Sequence, residues 1–304
     1  MARHIQVKKS QVHLVKTVPF YYQSDEGEFL LYKKSNEKMD NDRTNNTRHP
    51  QLFIKKKDEA QALKELTEAL NINLAKEIAT GGLAQVKQAL CDIVSEALAP
   101  GQEKAMESLP QTIEILFGAY GKDHGTMELL SQIASNSSAM EMHTVNVTAL
   151  TLQYCFFHEF SQAETSRLAL CALLHDVGSS KLDRNLIEKD KRLTDKEYKT
   201  FTTHAELGHD MIILNTEFDI SVATVALEHH ERLDGGGYPY NSRQISKDSQ
   251  LIGLIDSYEP LTYRNKSFRK AKKPFDSLQI IKQEAIDGKF SKDIFKNFAS
   301  CLIR

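Results

Sequence analysis

The spacing of hydrophobic residues changes once along this chain. Up to residue 56 they come as short β-prone runs, QVHLV (11–15), FLLYKK (29–34) and QLFIKK (51–56), parted by polar, turn-forming stretches. That pattern predicts short strands. The segment SNEKMDNDRTNNTRHP (35–50) reads as a polar loop by composition. From Asp58 the period lengthens, because Ala60, Leu63, Leu66 and Leu70 recur at helical spacing, and a second helical stretch is expected from about 75 to 98. Pro100 and Gly101 then interrupt the pattern. A small α+β domain over 1–100 and a larger domain over 101–304 are therefore expected.

Beyond residue 101 the pattern is helical almost throughout. TDKE (194–197) fits a capping box, with Thr194 and Glu197 covering each other's free backbone N–H, and predicts the start of a helix carrying His204. Asp219 and Ser221 precede an apolar run that ends in His229 and His230. Ser249 opens a helix carrying Asp256, and Pro274 with Asp276 opens another that Gly288 ends. The expected fold class is mainly α, a helical bundle behind a small α+β domain.

Charge narrows the partners. Lys and Arg total 39 against 41 Asp and Glu, so nothing global favours nucleic acid or an anionic membrane. The N-terminus has no apolar stretch of signal-peptide length, and no run is long enough to cross a bilayer, which predicts a cytoplasmic protein. Cys91, Cys155, Cys171 and Cys301 are scattered, form no C-x-x-C pair, and read as buried reduced thiols.

Histidine changes the picture more. Of eleven, seven fall between 143 and 230. His158 and His209 read as structural or surface residues. His175 and Asp176 end one apolar helix, and His229 and His230 end another. Neighbouring helical side chains diverge by about 100°, so neither pair chelates one ion easily, and two ions fit better. Asp176 is the natural bridge between them, since a carboxylate has two oxygens and a charge that offsets cation repulsion. Imidazole and carboxylate ligands suit iron, manganese or zinc.

HDVG (175–178), HAELGH (204–209) and above all HHERLDGGGYP (229–239) resemble the HD-GYP branch of the HD-domain phosphohydrolases, over about residues 125–300. The resemblance implies an HD-type helical bundle around a metal site that hydrolyses the bacterial second messenger cyclic di-GMP. It places the metal ligands on His143, His175, Asp176, His204, His229, His230 and Asp256. Members with a third metal carry a glutamate where this chain has Ala139, and Glu141 lies on another helical face, so two divalent ions are expected, iron or alternatively manganese. The lysine usual three residues after the HD aspartate is Ser179 here, with Lys181 two residues on.

The same resemblance assigns catalysis to Asp176, Tyr238 and Lys266. Substrate contacts fall on Gly236, Gly237, Tyr238, Arg264, Lys266 and Ser179. Arg264 and Lys266 begin RNKSFRKAKK (264–273), which holds six cations and no acid; the rest of that stretch reads as solvated. Gly235 to Gly237 let the chain turn and leave room for substrate, Tyr238 is held by Pro239 near a phosphate or guanine, Glu231 and Asp234 support the histidines or cap the turn, and Arg232 is a surface residue. The expected product is linear pGpG. The rival is a catalytically weak receptor that keeps the metals and signals through its first domain or a protein partner. A third option is hydrolysis of another cyclic dinucleotide or phosphoester.

Overall fold

Four short strands, β1 (His4–Val7), β2 (Phe20–Gln23), β3 (Phe29–Lys33) and β4 (Leu52–Lys55), pair antiparallel in the order β1–β4–β2–β3. The computed structural model describes residues 4–37, 50–99, 103–123, 125–263, 267 and 270–302, and it separates into Met1–Lys76, which holds the sheet, and Glu77–Arg304. In the first unit Phe20, Leu52 and Ile54 are buried, as are Ala62, Leu66, Leu70 and Leu74 of helix α1 (Glu59–Thr80), which recur every four residues along one face. The Glu65 carboxylate accepts the backbone N–H groups of Lys16 (2.6 Å) and Thr17 (2.9 Å) and the Thr17 hydroxyl, fastening α1 to the segment ahead of β2.

QVHLV is not a strand. Gln11–Leu14 forms a helical turn that buries Val12 and Val15, and the buried Lys33 ammonium donates to the carbonyls of both valines. Five residues, two of them the polar Gln11 and His13, are too few to fix a period, so the tertiary partner decides their form. The helical stretch predicted from about 75 to 98 is also two pieces: α1 ends at Thr80, and α2 (Leu83–Ala97) begins after Gly81 and Gly82.

The second unit is helical: α3 (Leu109–Tyr120), α4 (Thr126–Gln132), α5 (Ala139–Phe157), α6 (Gln162–Leu174), α7 (Asp195–Thr202), α8 (His204–Asn215), α9 (Ile220–Glu228), α10 (Lys247–Tyr263), α11 (Pro274–Ile286) and α12 (Lys292–Leu302). The fold class is as expected. The compact units divide inside α1, between Lys76 and Glu77, and α2 packs on α5. An amphipathic pattern tells that a helix forms, not which core its apolar face joins. Pro100 and Gly101 lie outside the described residues.

Helix α5 is the centre of this unit. Thr144 to Phe156 are all buried, and α2, α4, α6, α10 and α12 pack around it. A helix enclosed on every side has to satisfy its own polar groups, and two of its threonines do so by returning their hydroxyls to the chain, Thr148 to the Thr144 carbonyl and Thr151 to the Val147 carbonyl, each at 2.8 Å. No helix among the described residues is long and apolar enough to cross a membrane. All four cysteines are free and buried.

Backbone contact brings the HD turn against α8. A Cβ on Gly178 would lie 2.0 Å from the His204 carbonyl oxygen and 2.4 Å from the Gly208 nitrogen, so only glycine lets the turn after Asp176 meet the helix that starts with His204. Gly178→Ala is expected to cost about 3 kcal/mol by forcing these backbones apart. Urea unfolding should show a lower midpoint at unchanged slope; a loss below about 0.5 kcal/mol, the range of neutral surface changes, would contradict this contact.

Candidate metal centre

Three of the central histidines sit where a helix ends, and each uses the same device. The last turn of a helix leaves carbonyls without a partner. Beyond α6, α7 and α9 these are met by imidazoles: His175 Nδ1 donates to the Ala172 carbonyl (2.7 Å), His204 Nδ1 to Phe201 (2.7 Å) and His229 Nδ1 to Ala226 (3.0 Å). A carbonyl only accepts, so Nδ1 carries the hydrogen and the lone pair is left on Nε2. His143, one turn into α5, has a side-chain acceptor instead, Glu259 Oε2 at 2.6 Å from Nδ1.

The lone pairs converge. His143 and His175 face each other through Nε2 at 3.3 Å, and His204 and His229 do so at 3.5 Å. With Nδ1 already committed as donor in each ring, neither pair can hydrogen-bond within itself while both rings are neutral, and a cation between them then turns repulsion into coordination.

Two aspartates join the pairs. Asp176 turns Oδ2 toward His143 and His175 (3.8 and 3.7 Å from their Nε2 atoms) and Oδ1 toward His204 and His229 (3.2 and 3.5 Å). Asp256 turns Oδ1 toward His143 (3.1 Å) and His175 (3.8 Å), and Oδ2 toward His230 Nδ1 (3.7 Å). Donors bound about 2.0–2.2 Å from a small cation stand roughly 3–3.6 Å apart, close to these spacings. Asp176 Oδ1 is buried and has no hydrogen-bond partner of acceptable geometry. An orphaned carboxylate oxygen facing imidazole lone pairs fits a metal and fits little else. The ligand atoms fall into two groups that share Asp176: His143, His175 and Asp176, and Asp176, His204, His229 and His230. Each adjacent pair therefore converges on one group, contrary to the divergence expected of helical neighbours, because both pairs lie in turns past the ends of their helices.

The electrostatics agree. Burial pushes the His175 imidazole down to about 4 and His230 well below its ordinary value, which leaves both neutral as ligands must be. Burial also resists ionisation of Asp176 and Asp256, but the facing imidazoles outweigh it and hold both carboxyls well below the usual range. For His143 and His204 burial is outweighed in the other direction, by Glu259 with Asp256 and by Asp176, so their pKa values rise.

HHERLDGGGYP wraps this centre from outside. Gly235 makes the turn with φ 82°. The Glu231 carboxylate accepts the backbone N–H groups of Tyr240 (2.7 Å) and Ser242 (2.9 Å), and Asp234 accepts that of Gly236 (2.8 Å), so both acids cap the loop and neither supports a histidine. Arg232 is half-buried, not a surface residue. Its guanidinium donates to the carbonyls of His229 (3.0 Å) and Glu231 (2.7 Å) and to the Ser257 hydroxyl (2.9 Å), and it lies over the Phe290 ring, tying the end of α9 to α10. Tyr238 stacks on His230 with ring centroids 4.5 Å apart. Burial pushes its phenol far up, with Asp176 and Asp256 adding to the effect, so it stays a donor.

Two expected substrate contacts are enclosed by the chain. Gly237 is buried, and a Cβ there would lie 2.4 Å from Glu231 Cα and the His230 carbonyl oxygen, so backbone packing itself requires glycine. Ser179 is 3% exposed inside the turn after Asp176. Lys181, two residues on, pairs with Glu103 at 2.5 Å. Gly236 is exposed. Arg264 and Lys266 lie outside the described residues. His158, bonded to the Asn297 carbonyl, and His209, beside Asp210, stand apart from the cluster. Glu141 is occupied at the start of α5, where its carboxylate accepts the Ser138 N–H at 2.7 Å.

The HD domain family matches residues 128–294, and the chain belongs to that family, with the HD pair and the GYP turn of its HD-GYP branch. Over 176 residues it is 28% identical to cyclic di-GMP phosphodiesterase PA4108 of Pseudomonas aeruginosa, covering 57% of this chain and 42% of that protein. It is 28% identical over 137 residues to 3'3'-cGAMP-specific phosphodiesterase 3 of Vibrio cholerae, covering 44% and 29%. The chain spans about two fifths of the length of the first curated relatives it matches. Among solved structures, Bd1817, a HDG"Y"P protein from Bdellovibrio bacteriovorus, has the same fold at a TM-score of 0.61 and 15% identity, over 98% of this chain and 99% of that one.

Adding Mn²⁺ at a hundredfold over its dissociation constant is expected to stabilise the metal-free chain by about 2.7 kcal/mol. Thermal melts should show this shift in the unaltered chain and lose most of it in His229→Ala. The shift should grow from pH 6 to pH 8, because the raised pKa values of His143 and His204 make protons compete with the metal at the lower pH.

Proposed function

We propose that this chain hydrolyses a phosphodiester bond of cyclic di-GMP to give linear pGpG, using two divalent cations, iron or manganese. The observation that carries this reading is the pair of aspartates, each with one oxygen toward each end of the cluster, between imidazoles that present only lone pairs. The names of the relatives in Pseudomonas and Vibrio support the substrate class. When bound, the cations would neutralise the phosphodiester's charge and activate the attacking water.

The chain's own groups do the rest. His143, His175, Asp176 and Asp256 would hold one ion, and Asp176, His204, His229 and His230 would hold the other, with Asp176 common to both. Tyr238, a phenol braced on His230, donates its hydrogen to a non-bridging phosphate oxygen. Gly236, exposed beside it, lets the loop backbone approach the ligand, and Arg264 and Lys266 supply positive charge to the phosphates. The α+β unit modulates or scaffolds the helical one.

Purification without oxygen, metal counting and a turnover assay with Fe²⁺ or Mn²⁺ test the reading. Conversion of cyclic di-GMP to the linear dinucleotide is expected. His175→Ala should lower kcat by more than the roughly 10–100-fold that loss of an outer partner costs. Tight binding without turnover in the unaltered chain would replace the enzyme by a receptor, and neither binding nor turnover would remove cyclic di-GMP as the ligand.

A further inference from the structure

His143 differs from the other inward-facing histidines. It sits inside a helix, where the carbonyl of the preceding turn is already engaged, so its Nδ1 needs an acceptor from elsewhere, and Glu259 of α10 supplies it. Glu259 is in turn held. Its second oxygen accepts from Asn146 Nδ2 at 2.6 Å, and Asn146 Oδ1 accepts from Lys87 Nζ at 2.6 Å. The remaining two hydrogens of the ammonium go to the carbonyls of Leu130 and Ser131, each at 3.1 Å. Lys87, Asn146 and Glu259 are 1%, 5% and 3% exposed.

Chemistry fixes the direction of every bond. An ammonium only donates and a carboxylate only accepts, so the amide between them must turn its oxygen to Lys87 and its NH2 to Glu259. The ring nitrogen facing Glu259 must then carry hydrogen. The sequence of bonds ends by deciding which nitrogen of His143 keeps its lone pair: Nε2, 3.1 Å from Asp256 Oδ1. A buried lysine is a poor way to fill space, since an apolar side chain of similar volume packs as well without losing hydration. Here all three donors are used, and burial has pushed the pKa down to about 8.

We propose that Lys87 is a positioning residue of the metal centre, which acts through Asn146 and Glu259 to hold His143 with Nε2 toward the cations. This rests on the metal-centre reading above and extends the site to α2, which lies outside the matched residues 128–294. Two spacings support it: Asn146 follows His143 by three residues on α5, and Glu259 follows Asp256 by three on α10, so each partner shares a helical face with a ligand.

The test is calorimetric titration of the metal-free full chain with Mn²⁺. Lys87→Met should weaken binding roughly tenfold, the lower end of what outer partners of metal ligands contribute. Glu259→Gln should weaken it at least as much. The double variant should bind no more weakly than Glu259→Gln alone, because a series of bonds cut at its last link is not cut again upstream. A lysine with only a structural role would lower the melting temperature of the metal-free chain and leave Mn²⁺ affinity within twofold; that result, or additive losses in the double variant, overturns the proposal. Should Lys87→Met fail to fold, Asn146→Ala breaks the same series at a smaller group and is read in the same way. An unaltered chain that binds no Mn²⁺ overturns the metal-centre reading and this proposal with it, whereas an unaltered chain that binds and variants that match it overturn the proposal alone.

Discussion

The site depends on a commitment made at the far side of each imidazole. His175, His204 and His229 each satisfy a carbonyl that a helix end leaves open, and that bond spends the Nδ1 hydrogen on the backbone. Helix termination and ligand orientation are thus one event. The helices do not merely carry histidines to the same place; the way they stop decides which atom points inward. Facing lone pairs of neutral rings at 3.3 and 3.5 Å are unfavourable by themselves, and the fold tolerates them because backbone carbonyls hold three of these rings and Glu259 holds the fourth.

The rest of the second unit serves that geometry. Gly178 allows the HD turn to touch α8, Arg232 clamps the end of α9 to α10, and Glu231 gathers the loop that carries Tyr238. Each contact is between a ligand-bearing segment and its neighbour, where a shift of a few tenths of an ångström would move a donor atom out of coordination range. Of the four histidines that pair through Nε2, His143 alone is held by a side-chain acceptor, and it is therefore the one open to influence from a helix outside the HD-domain match.

Much of the centre was legible in the sequence because its chemistry is unusual in place. His–Asp and His–His pairs at the ends of apolar helices have few structural uses, and the eleven residues from His229 to Pro239 form a specific pattern. The supporting residues were hidden because each looks ordinary alone. Glu259 is one acid among many, Lys87 on an amphipathic helix reads as solvated, and Arg232 beside a glycine-rich turn reads as surface. The three-residue spacings from His143 to Asn146 and from Asp256 to Glu259 were the available signals. In the first unit, QVHLV failed as a strand because its form depends on Lys33, which is distant in sequence. The core that α2 joins was hidden for a similar reason: its apolar face is plain in the sequence, but its partner α5 is not.

Anomalous diffraction from crystals grown with Mn²⁺ tests the central claim most directly. Two peaks are expected, about 3.5–4 Å apart, one ringed by His143, His175, Asp176 and Asp256 and the other by Asp176, His204, His229 and His230, with every Nδ1 turned outward except that of His230. A lone peak, or an empty centre with the imidazoles rotated away, would contradict it.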